Sequence, residues 1–309
     1  MKNFQNVLIT GGCGFIGSNY INNIVPLFPT VNFYNIDCLN YSGSVDNVKV
    51  KTSNYTFIMG NLCNTDLVKN IMEKYKIDCI IHFAAQTHVD NSFNFPMDFI
   101  KDNILATHTL LELCKTNPVK LFIYCSTDEV YGDSNNGEEK CKIESSMLEP
   151  TNPYAATKAS CEMLCYSYSY SFKIPIIITR CNNVYGPNQY KEKLIPKFIN
   201  HINLGESCTI HGKGDQLRTF IHVDDFCNAL NLIIEKGNIG EIYNIGSEDE
   251  FSVMDIFEKL GGNKFHHVED RAFNDSRYCI SIYKLKKLGY IQKVNFDEGL
   301  RNLKNSKNF

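Results

Sequence analysis

Between the first apolar run of the chain, residues 6–10, and its first helical pattern stands Gly11-Gly12-Cys13-Gly14-Phe15-Ile16-Gly17. A GxxGxxG turn that follows a strand and opens a helix constrains the fold more than any other feature of this chain. Glycines permit the tight turn and let backbone N–H groups approach a pyrophosphate at the helix N-terminus. Asp37 lies twenty residues beyond Gly17, at the end of the second strand pattern. A carboxylate there bonds a ribose 2′-hydroxyl and repels a 2′-phosphate. Taken alone, Asp37 would read as a solvated strand-end acid. With the glycine turn it predicts a dinucleotide site for NAD in preference to NADP.

Strand patterns at 6–10, 31–37, 55–60, 78–84, 120–126 and 174–180 alternate with helical patterns at 15–27, 65–75, 96–116 and 153–172. Apolar strands separated by helices predict an α/β fold, a Rossmann-type doubly wound parallel sheet. Ligands of such sheets sit at the carboxyl ends of the strands. Residues 133–151 are polar and interrupted by glycine and proline, and read as a loop. After residue 180 the pattern turns irregular. This predicts a cofactor domain over 1–180 and a smaller ligand-binding lobe over 181–309. The boundary is not clean, because 219–222 and 242–245 look like strands able to return to the main sheet.

The 309 residues suffice for this arrangement, and 43% apolar with 21% charged residues is ordinary for a soluble enzyme. A net charge of −3 argues against nucleic acid or a membrane surface as partner. The thirteen cysteines lack CxxC pairs or zinc-like spacing and read as reduced thiols, many of them in the core. No metal site is expected. His266-His267 reads as a solvated pair. The N-terminus runs straight into a strand without a leader pattern, and no apolar run is long enough to cross a bilayer. A cytoplasmic location is the expectation.

The chemistry concentrates in Ser126-Thr127-Asp128-Glu129-Val130-Tyr131-Gly132 and Tyr154-Ala155-Ala156-Thr157-Lys158. Tyr154 and Lys158, four apart, share one helix face. A neighbouring ammonium stabilises phenolate, so Lys158 is expected to lower the Tyr154 pKa toward that of a working base. Asp128 and Glu129 add an acid and a second base. Such a set can expel water as well as oxidise. Asn61-Leu62 ends the third strand pattern, and Phe83-Ala84-Ala85-Gln86-Thr87 ends the fourth, with small residues that permit close approach to a cofactor.

The glycine turn, the strand-end Ser/Thr and the Tyr-x-x-x-Lys together resemble the extended short-chain dehydrogenase/reductase family over essentially the whole chain. Within it, the segment 126–132 is similar to the signature of nucleotide-sugar 4,6-dehydratases. The epimerases lack the Asp–Glu pair, and the UDP-glucuronate decarboxylases have Ser where Asp128 stands. The segments 180–187, 192–196, 212–218 and 270–278 resemble sugar- and phosphate-contacting stretches of the dehydratases.

The resemblance implies catalysis by Thr127, Asp128, Glu129, Tyr154 and Lys158. It implies NAD contacts from Gly11, Gly14, Phe15, Ile16, Gly17, Asp37, Asn61, Leu62, Phe83, Ala84, Ala85 and Thr87, with Tyr154 and Lys158. Substrate contacts would come from Thr87, Thr127, Asn183, Lys193, Leu194, Thr209, Ile210, His211, Arg218, Arg271 and Asn274. Lys193, Arg218 and Arg271 would supply charge for a pyrophosphate. Asn61 and Gln86 depart from the acids common in the family. Val184, His211 and Asn274 are more similar to the dehydratase part of plant UDP-rhamnose synthases than to bacterial dTDP-glucose enzymes, which implies UDP-glucose as substrate. dTDP-glucose, or 4-epimerisation or decarboxylation of a UDP-sugar, are the alternatives. NAD would stay bound and be recycled each turnover. The helices at 96–116 and 153–172 would pair in a homodimer. The chain ends soon after the dehydratase-like part, so a separate downstream epimerase/reductase is expected.

Overall fold

The computed structural model describes residues 1–134, 141–269 and 275–306. Its main sheet is built from β1 (Asn6–Thr10), β2 (Asn32–Asp37), β3 (Tyr55–Met59), β4 (Cys79–His82), β5 (Leu121–Thr127), β6 (Ile176–Cys181) and β10 (Ile242–Ile245). The order is β10-β6-β5-β4-β1-β2-β3, and every neighbouring pair is parallel. The order reverses at β1, between β4 and β2, which opens a crevice at the carboxyl ends of the strands.

Strand side chains alternate between the faces of the sheet. On one face Val7 and Ile9 join Tyr20 of α1 (Phe15–Ile24) and Phe226, Leu230 and Ile233 of the helix Val223–Lys236. On the other, Leu8, Ile80 and Phe122 join Val68 and Ile71 of α2 (Thr65–Tyr75). Leu110 of the helix Ala106–Thr116 and Cys161 and Cys165 of the helix Pro153–Phe172 complete that layer.

The helical pattern at 96–116 is not one regular helix. Pro96–Phe99 and Ala106–Thr116 flank a π-helical segment, Ile100–Leu105. The wider turn sets Asn103 facing inward, where its amide bonds Gln86 N, Gln86 O and Thr157 Oγ1. The pattern at 15–27 stops at Ile24 because Pro26 lacks the N–H a helix needs. β4 ends at His82, before the expected 84, because the chain must then run past the glycine turn.

The smaller lobe carries β7 (Asn183–Tyr185), β8 (Cys208–His211), β9 (Leu217–His222), β11 (Glu250–Ser252) and β12 (Phe265–Val268). Its core is aromatic: Tyr185, Phe198, Phe220, Phe257 and Phe296. The segment 242–245 returns to the main sheet as expected, whereas β9 does not. It pairs with β7 and β11, because Phe220 belongs to the aromatic core of the lobe. The chain passes from β6 to β7 through a single residue, Asn182, so two sheets meet there.

Two observations correct the sequence reading. Arg180 does not contact a ligand cavity. It is 3% exposed and pairs with Glu162, itself 1% exposed, through Nε and Nη2 at 2.6–3.1 Å. Cys141 and Cys279 are joined by a disulfide, so these two are not free thiols. They lie 138 residues apart in sequence, and no local spacing announced the bond. Because breaking a buried ion pair strands its partner, Glu162→Gln is expected to cost about 3–5 kcal/mol. Equilibrium denaturation measures this, and a loss below about 1 kcal/mol would show that the pair carries little of the fold.

Candidate active site

Gly11 has φ +69°, and a Cβ there would lie 2.6 Å from the Ala84 backbone. β1 and β4 can approach this closely only with glycine at that position. Gly14 caps α1 without a side-chain hydrogen bond, so the first-turn amides of α1 remain available to an anion. Asp37 is buried at the end of β2. Its Oδ2 accepts from Cys13 N and its Oδ1 from Leu39 N, both at 2.8 Å. These bonds aim the carboxylate and leave lone pairs for a diol. One cavity is lined by Gly11, Gly14, Phe15, Ile16, Gly17, Asp37, Asn61, Leu62, Phe83, Ala84, Ala85 and Thr87. The glycine cradle, the uncapped helix end and the aimed acid fit a dinucleotide.

The same cavity continues past Thr127, Asp128, Glu129, Tyr154 and Lys158. Thr127 ends β5 and accepts from Glu129 N at 3.3 Å, which starts a tight turn over Asp128–Tyr131. Asn152 caps the helix Pro153–Phe172 by accepting from Ala155 N at 2.8 Å, with Pro153 at the first helical position. The same amide donates to Glu129 Oε2 at 2.9 Å. Asn182 Nδ2 donates to Asp128 Oδ2 at 2.7 Å. Lys158 Nζ donates to Cys125 O at 2.6 Å and lies 4.4 Å from the centre of the Tyr124 ring.

Burial pushes the Asp128 carboxyl up to about 7, and the Glu129 carboxylate adds to the rise. Asn182, Thr127 and Arg218 pull it back. Burial raises Glu129 as well, against the pull of Asn152, Lys193 and Arg218. Tyr154 corrects an expectation. Its phenol is driven well above its usual value, by burial first and by Glu129 second, while a hydrogen bond with Thr127 opposes the rise. Lys158 is desolvated too and sits below its usual value.

A second cavity adjoins the first, and Glu129, Asn183 and Lys193 line both. Leu194, Thr209, His211, Arg218, Asp275 and Tyr278 line the second. Lys193 Nζ donates to Thr87 O at 2.9 Å, which ties the small lobe to the end of β4. Arg218 donates to Asp275 O and lies over the Tyr278 ring. His211 Nδ1 is buried without a hydrogen-bond partner among the described residues. Ile210 is not brought to the cavity. It alternates with Thr209 and His211 on β8 and faces the lobe core. Arg271 and Asn274 lie outside the described residues.

Sequence reasoning missed Asn152 and Asn103, and it held Asn182 and Tyr278 only as members of the segments 180–187 and 270–278, with no role for either. The Asn-Pro pair before Tyr154 was a legible helix-start signal. The other three act across the sheet or between lobes, with no local pattern.

Comparison with known proteins now decides the family. The family model described as GDP-mannose 4,6 dehydratase matches residues 8–303. The chain belongs to this family. It is 40% identical to a dTDP-D-glucose 4,6-dehydratase of Dictyostelium discoideum, over 99% of this chain and 83% of that one. It is 44% identical to a trifunctional UDP-glucose 4,6-dehydratase/3,5-epimerase/reductase of Arabidopsis thaliana, over 96% of this chain. The chain spans about half that plant protein's length, 46%. A dTDP-glucose 4,6-dehydratase from Streptomyces venezuelae, solved with NAD bound, superposes with a TM-score of 0.91 at 34% identity, covering 97% of this chain and 96% of that one. The chain is thus an enzyme of the NAD-dependent nucleotide-sugar 4,6-dehydratases, hydro-lyases with the extended short-chain dehydrogenase/reductase fold.

The raised Asp128 has a cost in stability. A carboxyl held above its unfolded value favours the fold only while protonated. That contribution is complete below 3.8 and lost as pH rises through about 7. Asp128→Asn cannot ionise. Its stability relative to wild type is expected to rise between about pH 4 and about pH 7, by at most about 1.4 kcal/mol per pH unit. Denaturation at several pH values checks this, and a difference that stays flat with pH would mean that Asp128 ionises as freely as in water.

Proposed function

We propose that the enzyme converts UDP-glucose to UDP-4-keto-6-deoxyglucose, with residues 1–180 holding NAD and 181–309 holding the nucleotide sugar. The observation that carries this reading is one cavity holding Tyr154, Lys158 and two carboxyls, of which Asp128 is raised to about 7 and is therefore available as an acid near neutrality. When bound, NAD⁺ accepts a hydride from C4 of the sugar and later returns it to C6.

In the loaded site, where the positive charges of bound NAD⁺ and Lys158 favour the phenolate that the empty site disfavours, Tyr154 takes the proton of the 4-hydroxyl, with Thr127 hydrogen-bonding the same oxygen. The resulting 4-keto group acidifies C5–H, and Glu129 removes that proton. Asp128 gives its proton to the departing 6-hydroxyl, which leaves as water. Glu129 returns its proton to C5 as C6 receives the hydride. With the positive charge of the oxidised cofactor restored beside it, Tyr154 releases its proton and Asp128 regains one, so the site is reset and the net change is loss of one water. Asp37 selects NAD over NADP through its aimed carboxylate. Lys193, Arg218 and Arg271 hold the pyrophosphate, with Thr87, Asn183, Leu194, Thr209, His211 and Asn274 around the rest of the substrate.

Support for UDP comes from the likeness of Val184, His211 and Asn274 to the plant sequences. A product that still needs epimerisation and reduction on the way to a sugar such as rhamnose implies that such activities act on it downstream. A homodimer fits the apolar surface of Met97, Met163, Tyr166 and Tyr170, each more than half exposed on neighbouring helices. We place the enzyme in the cytoplasm, without nucleic-acid or membrane partners. The net charge of −3 supports the first of these exclusions, and no helix among the described residues is long and apolar enough to cross a membrane.

Mutation separates the half-reactions. Tyr154→Phe is expected to abolish the near-ultraviolet absorbance of reduced cofactor after mixing with substrate. Asp128→Asn and Glu129→Gln keep that absorbance but slow water loss by about 10²–10⁴-fold. Product mass reads the elimination. Wild-type rates of water loss in both carboxyl variants would remove these groups from the mechanism. An unchanged product mass in the wild type would indicate an epimerase, and loss of carbon dioxide a decarboxylase. In a separate competition assay, UDP-glucose is expected to show the higher kcat/KM. A higher value for dTDP-glucose would reverse the substrate assignment.

A further inference from the structure

Asn182 is the single residue between β6 and β7, where the main sheet hands over to the small lobe. Thr127 and Cys181 are register partners at the ends of β5 and β6, so Asp128 and Asn182 are the next pair across the gap. Asn182 N donates to Ile245 O at 3.0 Å, which fixes its backbone from the β10 side. Its side chain is buried, with Nδ2 donating to Asp128 Oδ2 and Oδ1 left without a hydrogen-bond partner among the described residues. Oδ1 faces Gly246, where an added Cβ would lie 1.9 Å away. An orphaned buried carbonyl is costly. Turning the amide over would set that carbonyl against the Asp128 carboxylate once the proton has been given up, which the present orientation avoids.

We propose that Asn182 is a positioning residue that assigns the proton of Asp128 to Oδ1, the oxygen on the Thr127 side, and thereby aims the acid for water loss. This rests on the reading of Asp128 as the acid. A donor on Oδ2 is satisfied best when Oδ2 is the carbonyl-type oxygen, because a carboxylic hydroxyl is the poorer acceptor. Oδ1 also receives a donor, the Thr127 hydroxyl at 3.2 Å, but that contact is the longer one and a hydroxyl can turn to accept whereas an amide N–H cannot, so the proton is carried by Oδ1. The same donor favours the ionised form of Asp128 and so makes the proton easier to release. The titratable and charged groups that face Asp128 are Glu129 on its own turn, Tyr154 on the helix Pro153–Phe172, Cys181 at the end of β6 and Arg218 on β9. All four remain in the Asn182 variants, so a change in Asp128 is expected to report the lost amide.

Two variants remove the contact by different routes. Asn182→Ala deletes the amide, and Gly246→Ala displaces it while leaving Asn182 in place. Asn182→Ser retains a shorter donor. The carboxylic infrared band of Asp128, identified as the band lost in Asp128→Asn, reads its titration directly on the whole enzyme. Single-turnover mixing with UDP-glucose, or with dTDP-glucose if that is turned over faster, reads C4 oxidation by near-ultraviolet absorbance and water loss by mass. In both alanine variants the Asp128 band is expected to titrate about one pH unit higher. Water loss is expected to slow about 10- to 100-fold while oxidation stays within about twofold. Asn182→Ser should lie between these variants and wild type. A band that does not move, or oxidation and water loss slowed equally, overturns the inference. If Asn182→Ala does not fold, Gly246→Ala and Asn182→Ser decide by the same criteria. Wild-type water loss in Asp128→Asn would instead sink the acid assignment itself, and the infrared shift would still report on the Asn182 contact.

Discussion

Asp128 loses its water before it gains a partner, and much of the site follows from that. A carboxyl at the carboxyl end of a central parallel strand is enclosed by the neighbouring strands, by the helix above them and by the small lobe. Its charged form is penalised by desolvation and again by Glu129 next to it. The two carboxyls differ because their surroundings differ. Asp128 is deeply buried, with Arg218 a cationic group acting on it, while Glu129 lies where the two cavities join and feels Lys193 and Arg218 together. One amide contact serves each of them, and among the described residues neither forms an ion pair that would lock it in the charged state.

The architecture explains how such a group can be held still. Below the site, the buried Glu162–Arg180 pair ties the helix bearing Tyr154 to β6, and Arg180 also lies against the Tyr131 ring. Above it, Asn182 bridges from β6 to the small lobe while its backbone is bonded to β10. The same few residues therefore fix the spacing of strand, helix and lobe around Asp128. The π-helical segment at Ile100–Leu105 contributes from the side, since Asn103 joins Thr157 to the Gln86 backbone.

Much of this was legible in the sequence, for reasons that differ by element. The parallel sheet, the glycine turn and the acid at Asp37 are local patterns, each written within a strand and the turn after it, and they stand where expected. The strand at 242–245 was readable as a return to the main sheet because its apolar run matched the other strands. β9 carried the same kind of run, yet its partners were set by the aromatic core of the lobe, which no window of sequence contains. Ile210 was placed with the ligand-facing residues by likeness to a motif, although strand alternation turns it inward. Arg180 opens the segment 180–187 that was likened to ligand-contacting stretches, yet it pairs with Glu162 on a different element. The disulfide between Cys141 and Cys279 and the contacts of Asn182 with Asp128 and Gly246 are long-range pairings of this sort as well.

Asn152 shows how positional and chemical roles combine in one side chain. Its carbonyl oxygen caps the helix that carries Tyr154 and Lys158, and its amide nitrogen holds Glu129. The helix start and the second carboxyl therefore cannot move independently. Tyr154 is driven above its usual range partly by that carboxylate, so the Asn152 contact also governs how strongly the two repel. A phenol that resists ionisation in the resting site gives up its proton only when positive charge gathers near it or when Glu129 is neutralised. The arrangement thus couples the base of the first step to the charge state of the base of the second, through an amide that reacts with neither.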